Sequence, residues 1–132
     1  MSIDDKPQFF DLIITGMGYL NHIREVRPKE GRAFLSVSIA ALRGRADDVR
    51  YTRFDCVVSG HQAQQIVRQL RPAVEGKLKV LVGFTMSDPF AESFTFKSGD
   101  KAGEIGVSLK ARLLRFSWAK VDGQPFYSER AA

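Results

Sequence analysis

The chain has almost no thiol or imidazole chemistry to offer. A single cysteine, Cys56, stands among 132 residues, so no intramolecular disulfide can form. It sits in an apolar, strand-like run and reads as a small buried hydrophobe. The two histidines, His22 and His61, have no cysteine or carboxylate at metal-ligand spacing, which argues against zinc. No apolar run approaches the ~20 residues of a membrane-spanning helix. The opening Met1-Ser2-Ile3-Asp4-Asp5-Lys6-Pro7 is acidic and has no apolar stretch of the kind a secretory signal carries. The expected location is the cytoplasm, away from membranes.

Catalytic signatures are missing too. Thr15-Gly16-Met17-Gly18 supplies a G-x-G, but Asn21 stands where a dinucleotide fingerprint needs its third glycine. Gly99-Asp100-Lys101 has no Gly-Lys-Ser/Thr, so no P-loop follows. The acidic pairs Asp47/Asp48, Asp88/Glu92 and Asp100/Glu104 fall in stretches that read as loops, whereas a metal nuclease needs convergent carboxylates on rigid elements. The expectation is a protein that is not an enzyme and uses neither cofactor nor metal.

What is present is one domain's worth of chain, 44% hydrophobic and 27% charged, with 20 Lys and Arg against 15 Asp and Glu. The surplus of +5 is compatible with a polyanionic partner. Residues 1–8 read as a loose arm, 9–127 as a single domain and 128–132 as a tail. Phe9 to Val26 reads as a long strand, with Gly16 and Gly18 marking a bulge or barrel corner. Ala33 to Leu42 alternates, with Leu35, Val37 and Ile39 on one face and Phe34, Ser36 and Ser38 on the other. Arg43 to Asp48 reads as a polar loop. In the third strand, Val49 to Ser59, Phe54, Cys56 and Val58 point inward while Tyr51, Arg53 and Asp55 point outward.

Ser59-Gly60-His61-Gln62 resembles a capping box. Ala63, Ile66, Val67, Leu70 and Val74 then recur at helical spacing, with Pro72 expected to end or bend the helix early and Gly76 to close it. Lys77 to Met86 makes a fourth strand. Ser87 to Glu104 is a polar, aromatic excursion. Ile105 to Val121 is a fifth strand, and Asp122-Gly123 turns into a short sixth over Gln124 to Tyr127. Three strands, one helix, then two strands is the order of the OB fold, an all-β five-stranded Greek-key barrel with a helix between strands 3 and 4. The same order also permits an α+β sandwich.

Cations and aromatics interleave on these strands. Arg24, Arg27, Lys29, Arg32, Arg43, Arg45, Arg50 and Arg53 face only four acids between Arg24 and Arg53. The fifth strand carries Lys110, Arg112, Arg115 and Lys120 and no acid. Lys110, Arg112, Phe116 and Trp118 share a strand parity, which sets cations beside two aromatics. Cations for phosphates and flat rings for unpaired bases suit a single nucleic-acid strand. The helix, mostly amides and apolar residues around Arg68, is a poor major-groove reader. Strand phenylalanines usually pack inside, so Phe54, Phe84 and Phe116 are expected in the core or at a subunit interface. Phe90, Phe94 and Phe96 form either a finger around a bound strand or a seam between subunits.

Between Ile13 and Trp118 the pattern resembles the bacterial single-stranded-DNA-binding proteins. The likeness rests on Ile14-Thr15-Gly16-Met17-Gly18-Tyr19-Leu20, Arg24-Glu25-Val26-Arg27, Phe34-Leu35-Ser36-Val37-Ser38-Ile39-Ala40 and the run from Tyr51 to Gly60. The whole chain is also similar to a family of small replication proteins carried by integrative and conjugative elements. That second likeness rests on Phe9-Phe10-Asp11-Leu12, Gly18-Tyr19-Leu20-Asn21, Tyr51-Thr52-Arg53-Phe54-Asp55-Cys56 and the run from Gly106 to Leu114.

The resemblance implies an OB fold, binding of single-stranded DNA, association into a dimer or tetramer, and work beside replication or conjugation proteins of a mobile element. Two departures matter. Arg53 and Ser59 stand where the family carries aromatics, and Tyr127-Ser128-Glu129-Arg130-Ala131-Ala132 lacks the family's acidic recruiting tail. The expected binding face is Phe34, Tyr51, Arg53, Lys110, Arg112 and Trp118. Arg24, Arg27, Lys29, Arg32, Arg43 and Arg45 would add phosphate contacts, with Phe90, Phe94, Phe96 and Lys97 in a second rank. The alternatives are an OB-fold adaptor between proteins and a binder of single-stranded RNA.

Overall fold

A computed structural model describes residues 10–129. The expected arm, residues 1–8, lies outside the described residues, as do Phe9 and residues 130–132 of the expected tail. The elements are β1 (Ile13–Val26), β2 (Phe34–Arg45), β3 (Asp48–Val58), α1 (His61–Glu75), β4 (Val80–Thr95), β5 (Ile105–Val121) and β6 (Gln124–Ser128). The strands run β3-β2-β1-β4-β5-β6, and a β3–β5 pairing closes the first five into a barrel. That seam is parallel, with Phe54 opposite Leu109 and Val58 opposite Leu113; every other pairing is antiparallel. With the single helix between strands 3 and 4, this is the OB-type barrel that the order of elements favoured, and the sandwich alternative falls away.

Alternation explains the core. Leu35, Val37, Ile39 and Ala41 of β2 point inward, as do Phe54, Cys56 and Val58 of β3, against Val82, Phe84 and Met86 of β4. Ala63, Ile66, Val67 and Leu70 give α1 one apolar stripe, which lies on the barrel. β1 is long because it serves two neighbours: Gly18 pairs with Ala41 on one side and Val82 on the other. A Cβ at Gly18 would come within 2.5 Å of the Ala40 carbonyl oxygen, so close strand approach explains that glycine. The expected bulge sits elsewhere, between Asn21 and Arg24, where His22 takes φ 50°.

Several expectations are corrected. β1 begins at Ile13 rather than Phe9. The expected loop 43–48 is a tight hairpin, because Arg45 pairs with Asp48 and leaves only Ala46 and Asp47 in the turn. Ser59 does not cap α1: Gly60 is the N-cap and no side chain bonds the cap amides. Gln62, expected to complete the box, instead spans α1 and β5. Its amide donates to the Phe116 carbonyl and the Tyr127 hydroxyl, both at 2.8 Å, and its Oε1 accepts from the Phe116 N–H at 3.1 Å. Pro72 does not stop α1; it stands exposed in the last turn, where only three helical residues follow it.

The excursion after Ser87 is mostly strand. β4 resumes beyond an irregularity at Asp88 (φ 57°) and pairs Phe90–Thr95 with Lys110–Ile105, so a long β4–β5 hairpin projects from the barrel.

Candidate nucleic-acid interface

The pairing registers assemble the outer face row by row, because residues opposite one another in a ladder point to the same side. One row is Arg24 on β1, Ser36 on β2, Val57 on β3 and Arg112 on β5. The next is Asn21, Ser38, Asp55, Lys110 and, on β4, Phe90. Next come Tyr19, Ala40 and Arg53, and then Leu42 and Tyr51. Small β2 residues along the middle make a trough whose serines, Ser36 and Ser38, are buried beneath longer neighbours.

The aromatics beside the trough face solvent. Tyr51 is 53% exposed, Phe90 51% and Phe94 43%, although each is large and apolar enough to serve a core. The Tyr51 ring lies 6.4 Å from that of Tyr19, tilted by 47°. On the projecting hairpin Phe94 and Phe96 meet edge to face at 4.9 Å, and Lys101 stands 5.7 Å over Phe96. A Cβ at Gly106 would lie 2.6 Å from the Phe94 ring, so the two rings rest on bare backbone. Where the hairpin leaves β3, a cleft of about 460 Å³ opens between Arg53, Asp55, Phe94 and Ser108.

The cations are less free than their count implies. Arg53 donates to Ser38 at 3.1 Å and lies 3.6 Å from the Asp55 carboxylate. Asp55 also accepts from the Ser38 and Ser108 hydroxyls, both at 2.8 Å. Burial pushes the Asp55 pKa up, but the hydrogen bonds from Ser108 and Ser38, with the charges of Arg53 and Lys110, outweigh it and hold the carboxyl below its ordinary value. Asp55 is therefore a carboxylate at neutral pH and draws on both cations of its neighbourhood. Arg112 donates to the Ser59 hydroxyl at 2.8 Å and has no acidic partner among the described residues.

Of the expected site residues, Tyr51, Arg53, Lys110 and Arg112 lie on the outer rows with Phe90. Phe34 has the same parity but is half-buried at the start of β2. The run from Arg24 to Arg53 splits into two groups. Arg24 joins the outer rows opposite Ser36, whereas Arg27, Lys29 and Arg32 lie at the β1–β2 end and Arg43 and Arg45 at the β2–β3 end, with a strand of roughly 36 Å between these last two groups. Arg27 pairs with Glu25 and Arg45 with Asp47 at 2.8 Å, while Arg43 donates to Thr52 at 2.9 Å. Lys97 is exposed near the hairpin tip.

The shared parity of Lys110, Arg112, Phe116 and Trp118 is overturned. Register shifts against β4 at Thr85/Met86 and Gly83/Phe84 each add a residue to β5, so Phe116 turns into the core and is fully buried. Trp118 returns to the outside but far along the strand, lying over Gly83, where a Cβ would come within 2.3 Å of its Nε1. Lys120 stands 5.8 Å from its ring. Residue reasoning missed Tyr19, Asn21, Lys79 and Lys120. The alternation of Tyr19 with Met17 and Asn21 in the sequence was the available signal for an outward ring.

These features define an OB-type barrel whose outer face carries exposed aromatics among cations. The chain belongs to the family described as protein of unknown function (DUF3577), whose model matches residues 3–132. No curated protein and no solved structure matches it. No helix is long and apolar enough to cross a membrane, and no group of three or more His, Cys, Asp or Glu able to hold a metal occurs among the described residues.

Proposed function

We propose that this protein binds single-stranded DNA with little sequence preference on the outer face of its barrel, as a non-enzymatic component of the replication or transfer of a mobile element. The observation that carries the reading is the exposure of Tyr51, Phe90 and Phe94 beside Arg53 and Lys110 on rows that cross the barrel in register. Rings stack on bases of any identity, at roughly 1–3 kcal/mol per base, and ammonium or guanidinium groups take phosphates. The link to a mobile element, and to its replication or conjugation proteins, rests on the sequence resemblance alone.

A second reading, a protein-binding adaptor, is favoured by one feature. Ile105 and Val107, 74% and 68% exposed, continue the inward parity of Ala111 and Leu113 beyond the barrel and leave an apolar strip on the hairpin. In the DNA-binding reading, a second copy of this chain covers that strip.

Anisotropy of a labelled oligo-dT tests the two readings. Binding at low salt that weakens as salt rises is expected. The absence of any binding at low salt would overturn the DNA reading in favour of the adaptor, and equal competition by RNA of the same length would remove the preference for DNA.

A further inference from the structure

A second cleft, of about 620 Å³, opens at the C-terminal end of α1. Tyr19 and Tyr51 stand on one side, His22 near them, and the segment carrying Lys77 and Lys79 on the other. Its volume falls in the range of small-ligand sites. Its lining sets two flat rings, Tyr19 and Tyr51, across from two ammonium groups, Lys77 and Lys79. The acid on its rim, Glu75, is held by Arg71 at 2.9 Å.

The backbone gives an independent sign. α1 ends in a motif in which the Lys77 N–H bonds the Val74 carbonyl and the Leu78 N–H bonds the Ala73 carbonyl, both at 3.0 Å. That motif needs one residue in the left-handed region, usually glycine. Here Gly76 lies just before it with φ −78°, and Lys77 itself takes φ 62°. A lysine thus occupies the position where glycine would be unstrained, and its side chain stands at the cleft. His22, at φ 50°, is a second strained residue on the same cleft.

The cleft also connects onward. The row that begins at Arg53 and Ala40 runs through Tyr19 to Leu81 on β4 and Lys120 on β5, roughly 19 Å across five strands. A smaller hollow of about 330 Å³ shares Tyr19 and Lys79 with the cleft and adds Lys120, beside Trp118, and Asp122, whose carboxylate accepts from the Lys79 backbone N–H at 2.9 Å.

We propose that this cleft is a nucleotide subsite of the single-strand track. A base rests against Tyr19 and Tyr51, the adjoining phosphates are held by Lys77 and Lys79, and the strand continues over Tyr19 to Lys120 and Trp118. The proposal rests on the DNA-binding reading and adds to it a path that leaves Tyr51 on β3, crosses β1 and β4 and ends on β5, away from the hairpin.

The test is oligo-dT affinity against salt, alongside thermal melting, for Lys77→Gly, Lys79→Gln and, as control, Arg68→Gln on the exposed side of α1. Lys77→Gly is expected to melt about 2–5 °C higher, because strain is relieved. It and Lys79→Gln should each bind about fivefold more weakly. Each should also flatten the logarithmic salt slope by about 0.7, the share of one phosphate on a single strand. A more stable protein that binds weakly separates a ligand role from a structural one. Unaltered slopes in both cleft variants, or losses no larger than that of Arg68→Gln, would overturn the subsite while leaving the DNA-binding reading standing. An unsubstituted protein that binds no oligonucleotide would overturn both.

Discussion

Replacing Asp55 by asparagine should weaken the fold and strengthen DNA binding. The carboxylate is a half-covered acceptor for Ser38 and Ser108, and it lies 3.6 Å from Arg53. Asparagine has one acceptor oxygen, so it keeps one hydroxyl and turns an NH2 group towards the other. The hydroxyl facing the NH2 must turn to accept, and the exchange of two charge-assisted hydrogen bonds for neutral ones costs about 1.5–3 kcal/mol. For a chain of this size that lowers the melting temperature by roughly 3–12 °C.

Binding should move the other way. Arg53 and Lys110 lose the carboxylate that competes with phosphate for them, so the local charge rises by one. One additional phosphate held there steepens the salt slope by about 0.7 and, at about 1 kcal/mol, tightens low-salt binding about fivefold. The pH dependence follows from the depressed pKa. The carboxylate's contribution is complete above its unfolded value of 3.8 and is lost as pH falls through the lower folded value. The melting difference between wild type and Asp55→Asn should therefore narrow only in acid, below that point. Calorimetry across pH and anisotropy across salt give both readouts. A salt slope unchanged in Asp55→Asn would refute a phosphate role for Arg53 and Lys110.

Three further outcomes are expected. Burial, and then the charge of Asp55, push the Cys56 thiol up to about 12, so it should ignore an aromatic disulfide reagent at pH 8 until denaturant is added; reaction at the native rate of a free thiol would contradict its burial. Gln62→Leu strands the Phe116 N–H and C=O and should lower stability by about 2–4 kcal/mol in urea, whereas a loss under ~1 kcal/mol would mean the bridge between α1 and β5 is dispensable. Gly83→Ala places a methyl where the Trp118 indole lies, so Trp118 emission should shift to the red as the ring is displaced into water; an unmoved spectrum would refute that packing.

The element order, the core parity of β2 and β3, the limits of β5 and the Asp122-Gly123 turn were all legible in the sequence, because each depends on local alternation or turn chemistry. What was hidden depends on partners distant in the chain. The two extra residues in β5 are defined only against β4, so period-two counting carried Phe116 to the wrong face. β4 passes through Asp88 and Pro89, which read as a loop until the pairing of Phe90 with Lys110 is known. Eight nearby cations looked like one patch, yet the length of β2 holds Arg27, Lys29 and Arg32 apart from Arg43, Arg45 and Arg50. Tyr19 and Tyr51 are neighbours only because β2 lies between their strands.

The parallel β3–β5 seam has a consequence for synthesis. The first three strands emerge as a meander, and Ser38 and Asp55 can meet within it. Ser108, Lys110 and Arg112 emerge some fifty residues later, after the helix and β4. Until then Asp55 lacks its second hydroxyl and the barrel has an open edge on β3. A ribosome-bound chain short of β5 therefore carries the β1–β3 share of the outer face, with Tyr19, Tyr51 and Arg53, but lacks Lys110 and Arg112 and the closed barrel beneath them. The Asp55 cluster is completed, and the barrel closed, in one late step.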